Sequence, residues 1–193
     1  MYLKQILLGL WLTIASVTSV FAAWNGSSIE GSKLGTQWEV IDTQGNSRTA
    51  QTIQGKVSLF FFGFTQCPDI CPTTLATISQ IFSLLNESQR KDVQIIMVSV
   101  DPERDTVEVL KQYLSYFPGN IIGFTGSEEQ IKTMQKSFKV FSRKVPIQDG
   151  KSYTVEHSSN LYLFDKQGKP RLFYYSDVAP EKLAQDVEAL LNE

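Results

Sequence analysis

The feature that most constrains the fold is an apolar run at residues 57–64, which contains three consecutive phenylalanines. A short run of this kind is typical of a central strand that is buried on both faces of a sheet. Pro72 follows it, and a helix tolerates proline in its first turn, so Pro72 indicates where a helix begins. The apolar residues of that helix recur at helical spacing and are Leu75, Ile78, Phe82 and Leu85. The sequence therefore predicts a strand, a loop with Cys67 and Cys71, and a helix in direct succession.

Strands and helices are predicted to alternate along the rest of the chain. Further strands are predicted around Trp38 and Val40 and at residues 93–100, 121–124, 161–164 and 171–175. Further helices are predicted at residues 107–117, after Ser127 with its capping-box partner Gln130, and after Pro180. Asp149-Gly150, between residues 140–145 and 153–155, predicts a hairpin or an excursion from the main sheet. This order predicts an α/β fold: a thioredoxin-like mixed sheet with helices on both faces, plus an inserted strand-helix unit and a hairpin.

The N-terminus has the pattern of an export segment. Lys4 is followed by residues 5–29 without a charge, and residues 6–21 are mostly apolar. We expect residues 1–23 to be either a signal peptide cleaved after Ala22 or an uncleaved transmembrane anchor, with a buried helix as the weakest alternative. Residues 24–33 are expected to be a flexible tether, and residues 34–193 the folded domain. The domain is then exported to the periplasmic face of a bacterial inner membrane, anchored there or released after cleavage.

The amino-acid composition excludes several kinds of binding site and scaffold. The chain has 18 Lys and Arg against 20 Asp and Glu and no long basic run, which argues against nucleic-acid binding. One His and two Cys do not make a four-ligand structural zinc site without carboxylates, and two Cys are too few for a disulfide-rich scaffold. Thiol or soft-metal chemistry in this chain therefore depends on Cys67, Cys71 and His157.

The cysteine pair lies where a buried strand ends and a helix begins, which is the edge of an α/β sheet where ligands bind. Pro68 favours an extended Cys67, and Pro72 places Cys71 in the first turn, where the positive end of the helix dipole is expected to favour its thiolate. A structural disulfide is the alternative in an exported protein. Closing so short a loop stabilises the fold little, so reactive or metal-binding thiols are the preferred interpretation.

His157 precedes the predicted strand at 161–164. Taken alone, a single His is more often an ordinary surface or loop residue. If that strand pairs with the strand at 57–64, however, His157 lies opposite Cys67 and Cys71. Two thiolates and one imidazole suit Cu(I), and the imidazole also allows Cu(II), whereas zinc favours a fourth ligand.

Three blocks of the sequence resemble the SCO/SenC family of thioredoxin-like copper proteins. The blocks lie at residues 63–75 with both cysteines, at 99–106 with Asp101-Pro102-Glu103-Arg104-Asp105, and at 155–159 with His157. The resemblance implies that Cys67, Cys71 and His157 bind one copper ion per domain, as Cu(I) or Cu(II). It also implies a role in assembly of the binuclear CuA centre of cytochrome c oxidase, with the copper-site subunit as partner and with other copper chaperones or thiol reductases as further partners. Two departures, Gln66 where His is common and Val107 where Pro is common, leave these ligands in place.

Three functions remain open from the sequence. The first is a copper metallochaperone, a carrier more than an enzyme. The second is a thiol-disulfide oxidoreductase in which Cys67 attacks and Cys71 resolves, although its spacer has three residues instead of the usual two. A peroxidase ranks last, because the usual arrangement of Pro and Thr ahead of the nucleophilic cysteine is absent: Thr65 is only two residues before Cys67. Five charged residues either support the ligands, form a partner surface, or are solvated and cap a helix: Asp69, Asp101, Glu103, Arg104 and Asp105.

Overall fold

A computed structural model describes residues 23–119, 121–147 and 152–193. Within them the chain forms ten strands and five helices. The strands are β1 (Ser27–Ser28), β2 (Glu39–Asp42), β3 (Ser47–Thr49), β4 (Val57–Gly63), β5 (Val93–Ser99), β6 (Ile122–Thr125), β7 (Ser142–Pro146), β8 (Tyr153–His157), β9 (Leu161–Phe164) and β10 (Pro170–Tyr174). The helices are α1 (Ile70–Leu84), α2 (Glu87–Lys91), α3 (Val107–Leu114), α4 (Glu128–Phe138) and α5 (Pro180–Leu191).

Eight strands form one mixed sheet with β4 near its centre. The strand order is β1-β10-β9-β4-β5-β6-β2-β3. Strand β4 runs parallel to β5 and antiparallel to β9, and all seven of its residues are buried. The prediction of a central strand buried on both faces is confirmed, and so is the pairing of this strand with the one at 161–164.

Alternate side chains of β4 contact helices on opposite faces of the sheet. The rings of Phe60 and Phe62 pack at steep angles against Phe138 of α4, with ring centroids 5.0 and 5.1 Å apart. Gly63 faces the other way, and a Cβ built on it would lie 2.8 Å from Cys71 Sγ on α1. Helix α5 packs against α1 on that second face. The predicted α/β arrangement, with helices on both faces of a mixed sheet, is confirmed.

Strands β7 and β8 form a separate two-stranded antiparallel sheet outside the main one. Its register pairs Ser142 with His157 and Pro146 with Tyr153. The predicted hairpin is therefore present. The turn expected at Asp149-Gly150 lies outside the described residues.

The N-terminal segment differs in part from the expectation. Residues 1–22, which hold nearly all of the predicted signal peptide or anchor, lie outside the described residues. No helix within the described ranges is long and apolar enough to cross a membrane. Residues 24–33 were expected to be a free tether, but β1 pairs with β10, and the buried carboxylate of Asp186 accepts the backbone N–H groups of Asn25 and Gly26 at 3.0 Å. These hydrogen bonds make part of this segment an edge strand of the domain.

Candidate metal centre

The two cysteines occupy the short connection between the central strand and α1, called here the cysteine loop (residues 64–69), and the first turn of that helix. The backbone N–H of Cys67 donates to the carbonyl of Phe64 at 3.2 Å, which turns the chain sharply after β4. Helix α1 begins at Ile70, two residues before Pro72, so the proline lies in the first turn as predicted. Cys71 is fully buried beneath the sheet edge, whereas Cys67 is half-buried, and both are free thiols.

The structure brings the three predicted site residues together. The ligand atoms of Cys67, Cys71 and His157 all lie within 4.8 Å of one another. Cys71 Sγ is 3.7 Å from His157 Nε2, and Cys67 Sγ accepts the backbone N–H of Cys71 at 3.4 Å. The prediction that pairing of the two strands places His157 opposite the cysteines is confirmed, although His157 and Cys71 are 86 positions apart in the chain.

The hydrogen bond of the imidazole determines which nitrogen faces the sulfurs. His157 Nδ1 is 3.0 Å from the carbonyl oxygen of Ser158. A carbonyl oxygen only accepts hydrogen bonds, so the proton belongs on Nδ1 and the lone pair of Nε2 is directed at Cys71 Sγ. The ring is further held by edge-to-face packing on Phe64, with centroids 5.7 Å apart. This orientation leaves Nε2 available as a metal ligand.

Burial shifts the pKa values of the His157 imidazole and the Cys71 thiol. Burial lowers the pKa of the His157 imidazole, which keeps it neutral and able to coordinate at neutral pH. Burial, and next the neighbouring Cys67 sulfur, raise the pKa of the Cys71 thiol. The expectation that the helix dipole favours a Cys71 thiolate is therefore wrong in the metal-free protein, because the sulfur is shielded from water and the N–H of Cys71 is directed at Cys67 Sγ. A bound cation would replace the Cys71 proton.

The 101–105 loop, which connects β5 to α3, contributes two buried carboxylates next to this site. Asp105 is fully buried and accepts the Thr65 backbone N–H at 3.1 Å, the Thr65 hydroxyl at 2.6 Å and the Ser99 hydroxyl at 2.7 Å. These bonds fix the start of the cysteine loop two residues before Cys67. Burial, partly offset by the Thr65 and Ser99 hydrogen bonds, raises the pKa of Asp105.

The alternatives for the charged residues can now be separated. Asp101 and Asp105 are buried, so they are not part of a solvated loop, whereas Asp69 and Glu103 are not buried. None of these carboxylates caps α3, because its N-cap is Thr106, whose side chain accepts the N–H of Val109. The sequence left this choice open because all five residues are charged, and nothing in the sequence around them distinguishes a buried charge from an exposed one.

Comparison with known proteins gives consistent matches over most of the chain. A family model described as SCO1/SenC matches residues 26–192. The SCO2-like protein of Rickettsia felis is 40% identical over 154 residues, which cover 79% of this chain and 75% of that protein.

Solved structures share the fold. The copper-bound structure of ScoI from Bradyrhizobium japonicum has a TM-score of 0.75 and 36% identity, and the match covers 81% of this chain and 99% of that one. The structure of BsSco has a TM-score of 0.66 and 27% identity, with coverage of 86% and 97%. BsSco is a member of the Sco family of cytochrome c oxidase assembly proteins in which a disulfide switch has been identified.

Proposed function

Because this chain belongs to the SCO1/SenC family, a copper-binding family involved in cytochrome c oxidase assembly, we propose that it is a copper metallochaperone. It binds one copper ion, as Cu(I) or Cu(II), through Cys67, Cys71 and His157. Its role is to assist assembly of the CuA centre, with the copper-site subunit of the oxidase as partner. Copper is in this case the cargo of the protein.

The observation that supports this proposal best is the convergence of two sulfurs and one imidazole nitrogen within 4.8 Å. Thiolate ligands select Cu(I), and an added imidazole also suits Cu(II). Among the described residues, the group that offers a metal site has three members, Cys67, Cys71 and His157, and no carboxylate. A three-ligand set of this softness favours copper over zinc, which in structural sites takes four ligands.

Copper titration of the purified, reduced protein tests the proposal. We expect about one equivalent to bind, since there is one three-ligand group, and Cu(II) loading should produce sulfur-to-copper charge-transfer absorption. His157→Ala should weaken both Cu(II) binding and this absorption. Thr154→Ala, on the same strand, is the matched control and should behave like the parent protein. If His157→Ala bound both copper states as tightly as the parent, the three-ligand site would be wrong.

A thiol-disulfide oxidoreductase that reduces the cysteines of a copper-site apoprotein is the second candidate. The unequal exposure of the two thiols favours it, because Cys67 can reach the disulfide of a partner while Cys71 is buried behind it. To separate the two functions, the copper-loaded protein is mixed with the reduced copper-site fragment of the oxidase, and the metal-free, reduced protein is mixed with the oxidised fragment. Transfer of copper in the first mixture supports the metallochaperone. Thiols appearing on the fragment in the second mixture, with a disulfide formed between Cys67 and Cys71, support the reductase.

The proposed location follows from the N-terminal sequence. The uncharged stretch at residues 5–29 supports export, with the domain acting on the periplasmic face of a bacterial inner membrane. Other copper chaperones or thiol reductases there would load or reduce the site. The mass of the mature protein tests how the segment is processed: loss of residues 1–22 indicates a cleaved signal peptide, and the full mass indicates an anchor.

A further inference from the structure

Pairing of β9 with β4 brings His157 to the same side of the sheet as the cysteines, but its hairpin lies outside the main sheet, so this pairing alone does not set the distance between the imidazole and the sulfurs. Strand β8 pairs with β7 and then continues through residues 158–160 into β9. The cysteines, in contrast, lie between the central strand and a helix packed on it. Some contact between the hairpin and the cysteine loop must therefore set the distance between the imidazole and the sulfurs.

Polar contacts from the 101–105 loop join the hairpin to the domain. Tyr153, at the start of β8, donates its hydroxyl to Asp101 Oδ1 at 3.0 Å. Lys144 of β7 forms an ion pair with Glu103. Arg104 Nη1 donates to the backbone carbonyl of Tyr153 at 2.9 Å, and its guanidinium carbon lies 3.9 Å from the centre of the Tyr153 ring.

Arg104 also contacts the cysteine loop. The same Nη1 donates to Gln66 Oε1 at 2.8 Å, and Gln66 is the residue directly before Cys67. The guanidinium carbon is 5.8 Å from the centre of the Phe64 ring, which itself packs edge-to-face on His157. Its Nε is paired with Asp101, whose side chain is 1% exposed, so the guanidinium is fixed in orientation.

We propose that Arg104 is a positioning residue that sets the separation between His157 and the cysteine pair, by binding the hairpin and the cysteine loop at the same time. This inference rests on the proposed copper site, but it concerns how the metal-free protein prearranges its ligands. A planar guanidinium offers several donors in fixed directions together with a face that stacks on an aromatic ring. The ammonium of lysine keeps the charge but provides neither the fork nor the face, so Arg104→Lys isolates the geometric contribution.

Arg104→Lys should lower copper affinity by as much as other substitutions of residues that orient a metal ligand. Substitution of such outer partners usually lowers metal affinity about 10-fold to 100-fold. Arg104→Lys should therefore bind copper about 10-fold to 100-fold more weakly than the parent. Gln66→Ala removes the hydrogen bond on the cysteine side alone, at an exposed position, and should weaken binding by about 2-fold to 10-fold.

The experiment combines copper competition titrations with NMR of the metal-free, reduced protein. His157 is the one histidine of the chain, so its imidazole signals are assigned without ambiguity. Arg104→Lys should shift these signals in the absence of metal, which a mere loss of global stability would not do while the protein remains folded. Arg143→Lys is the matched control, because it makes the same replacement in an exposed ion pair of the same hairpin, with Glu156.

The outcomes separate this inference from the proposed function. Parent-like copper affinity and unchanged His157 signals in Arg104→Lys would overturn the positioning role. If Arg104→Lys does not fold, Gln66→Ala decides, and parent-like copper affinity in that variant would overturn the role. If His157→Ala keeps full copper affinity, the proposed function fails instead, while a shift of the His157 signals in metal-free Arg104→Lys still supports the positioning role.

Discussion

Replacement of Thr65 by valine should destabilise the protein in a pH-dependent way. Thr65 donates its hydroxyl to Asp105 Oδ1 at 2.6 Å, while its backbone N–H donates to the same carboxylate and survives the substitution. Valine has nearly the shape of threonine, so Thr65→Val removes one hydrogen bond to a buried carboxylate and little else. It tests whether Asp105 anchors the start of the cysteine loop.

The magnitude depends on the charge of the acceptor. A hydrogen bond to a charged group contributes about 1.5–3 kcal/mol, and one between neutral groups about 0.5–1.5 kcal/mol. Burial raises the pKa of Asp105 in the folded chain, so between its unfolded and folded pKa values the folded chain holds a proton that the unfolded chain has lost. This group's contribution to stability therefore falls as pH rises through that interval. Loss of the Thr65 hydroxyl raises the pKa further and deepens the fall.

Urea unfolding of parent and variant at pH 7 and pH 4 measures the effect. We expect Thr65→Val to lower the free energy of unfolding by about 1.5–3 kcal/mol at pH 7 and by less at pH 4, where Asp105 is more protonated. Thr154→Val, a β-strand position on the hairpin, is the control and should change stability by less than about 0.5 kcal/mol. An equal loss at both pH values would refute the role given to the Asp105 charge, and a loss below about 0.5 kcal/mol at pH 7 would refute the anchor itself.

Two further predictions concern the packing around Cys71 and the N-terminal strand. Gly63→Ala would place a Cβ 2.6 Å from the Phe61 ring and 2.8 Å from Cys71 Sγ, so we expect a loss of about 1–3 kcal/mol in urea unfolding and weaker copper binding. Parent-like values in both would show that the ring and the sulfur have room to move. Asp186→Asn removes the negative charge that accepts the N–H groups of Asn25 and Gly26. We expect the free energy of unfolding to fall by about 2 kcal/mol and amide hydrogen exchange to become faster at both residues. Unchanged exchange would show that β1 is held by its pairing with β10.

The elements that the sequence predicted are those with a strong local pattern. The apolar run of β4 fixes a strand that is buried on both faces, and Ser127 with Gln130 forms the predicted capping box at the start of α4. The cysteine loop and the beginning of α1 were predictable for the same reason, because proline restricts the backbone at known positions. Such features need no knowledge of distant residues.

Short polar elements were missed because they have no apolar period of their own. Helix α2 has five residues, none buried, and depends on the capping box of Asn86 with Gln89. Strand β1 is an exposed pair of serines that becomes a strand through β10 and the Asp186 carboxylate, 160 residues after Gly26. A segment rich in glycine and serine looks like a tether in the sequence, and only its pairing with β10 and its hydrogen bonds to Asp186 in the fold show otherwise.

The two halves of the candidate site are held in different ways, Cys71 by packing in the core and His157 by contacts between residues distant in the sequence. This difference determines how they respond to substitution. Cys71 is held by burial on α1 against the central strand, so changes at Gly63 should lower stability and copper binding together. His157 is held by polar contacts between distant residues, such as Arg104 with Tyr153, 49 positions apart, which no pattern in the sequence indicates. Replacement of Arg104 should therefore move the imidazole and weaken copper binding more than it changes the free energy of unfolding.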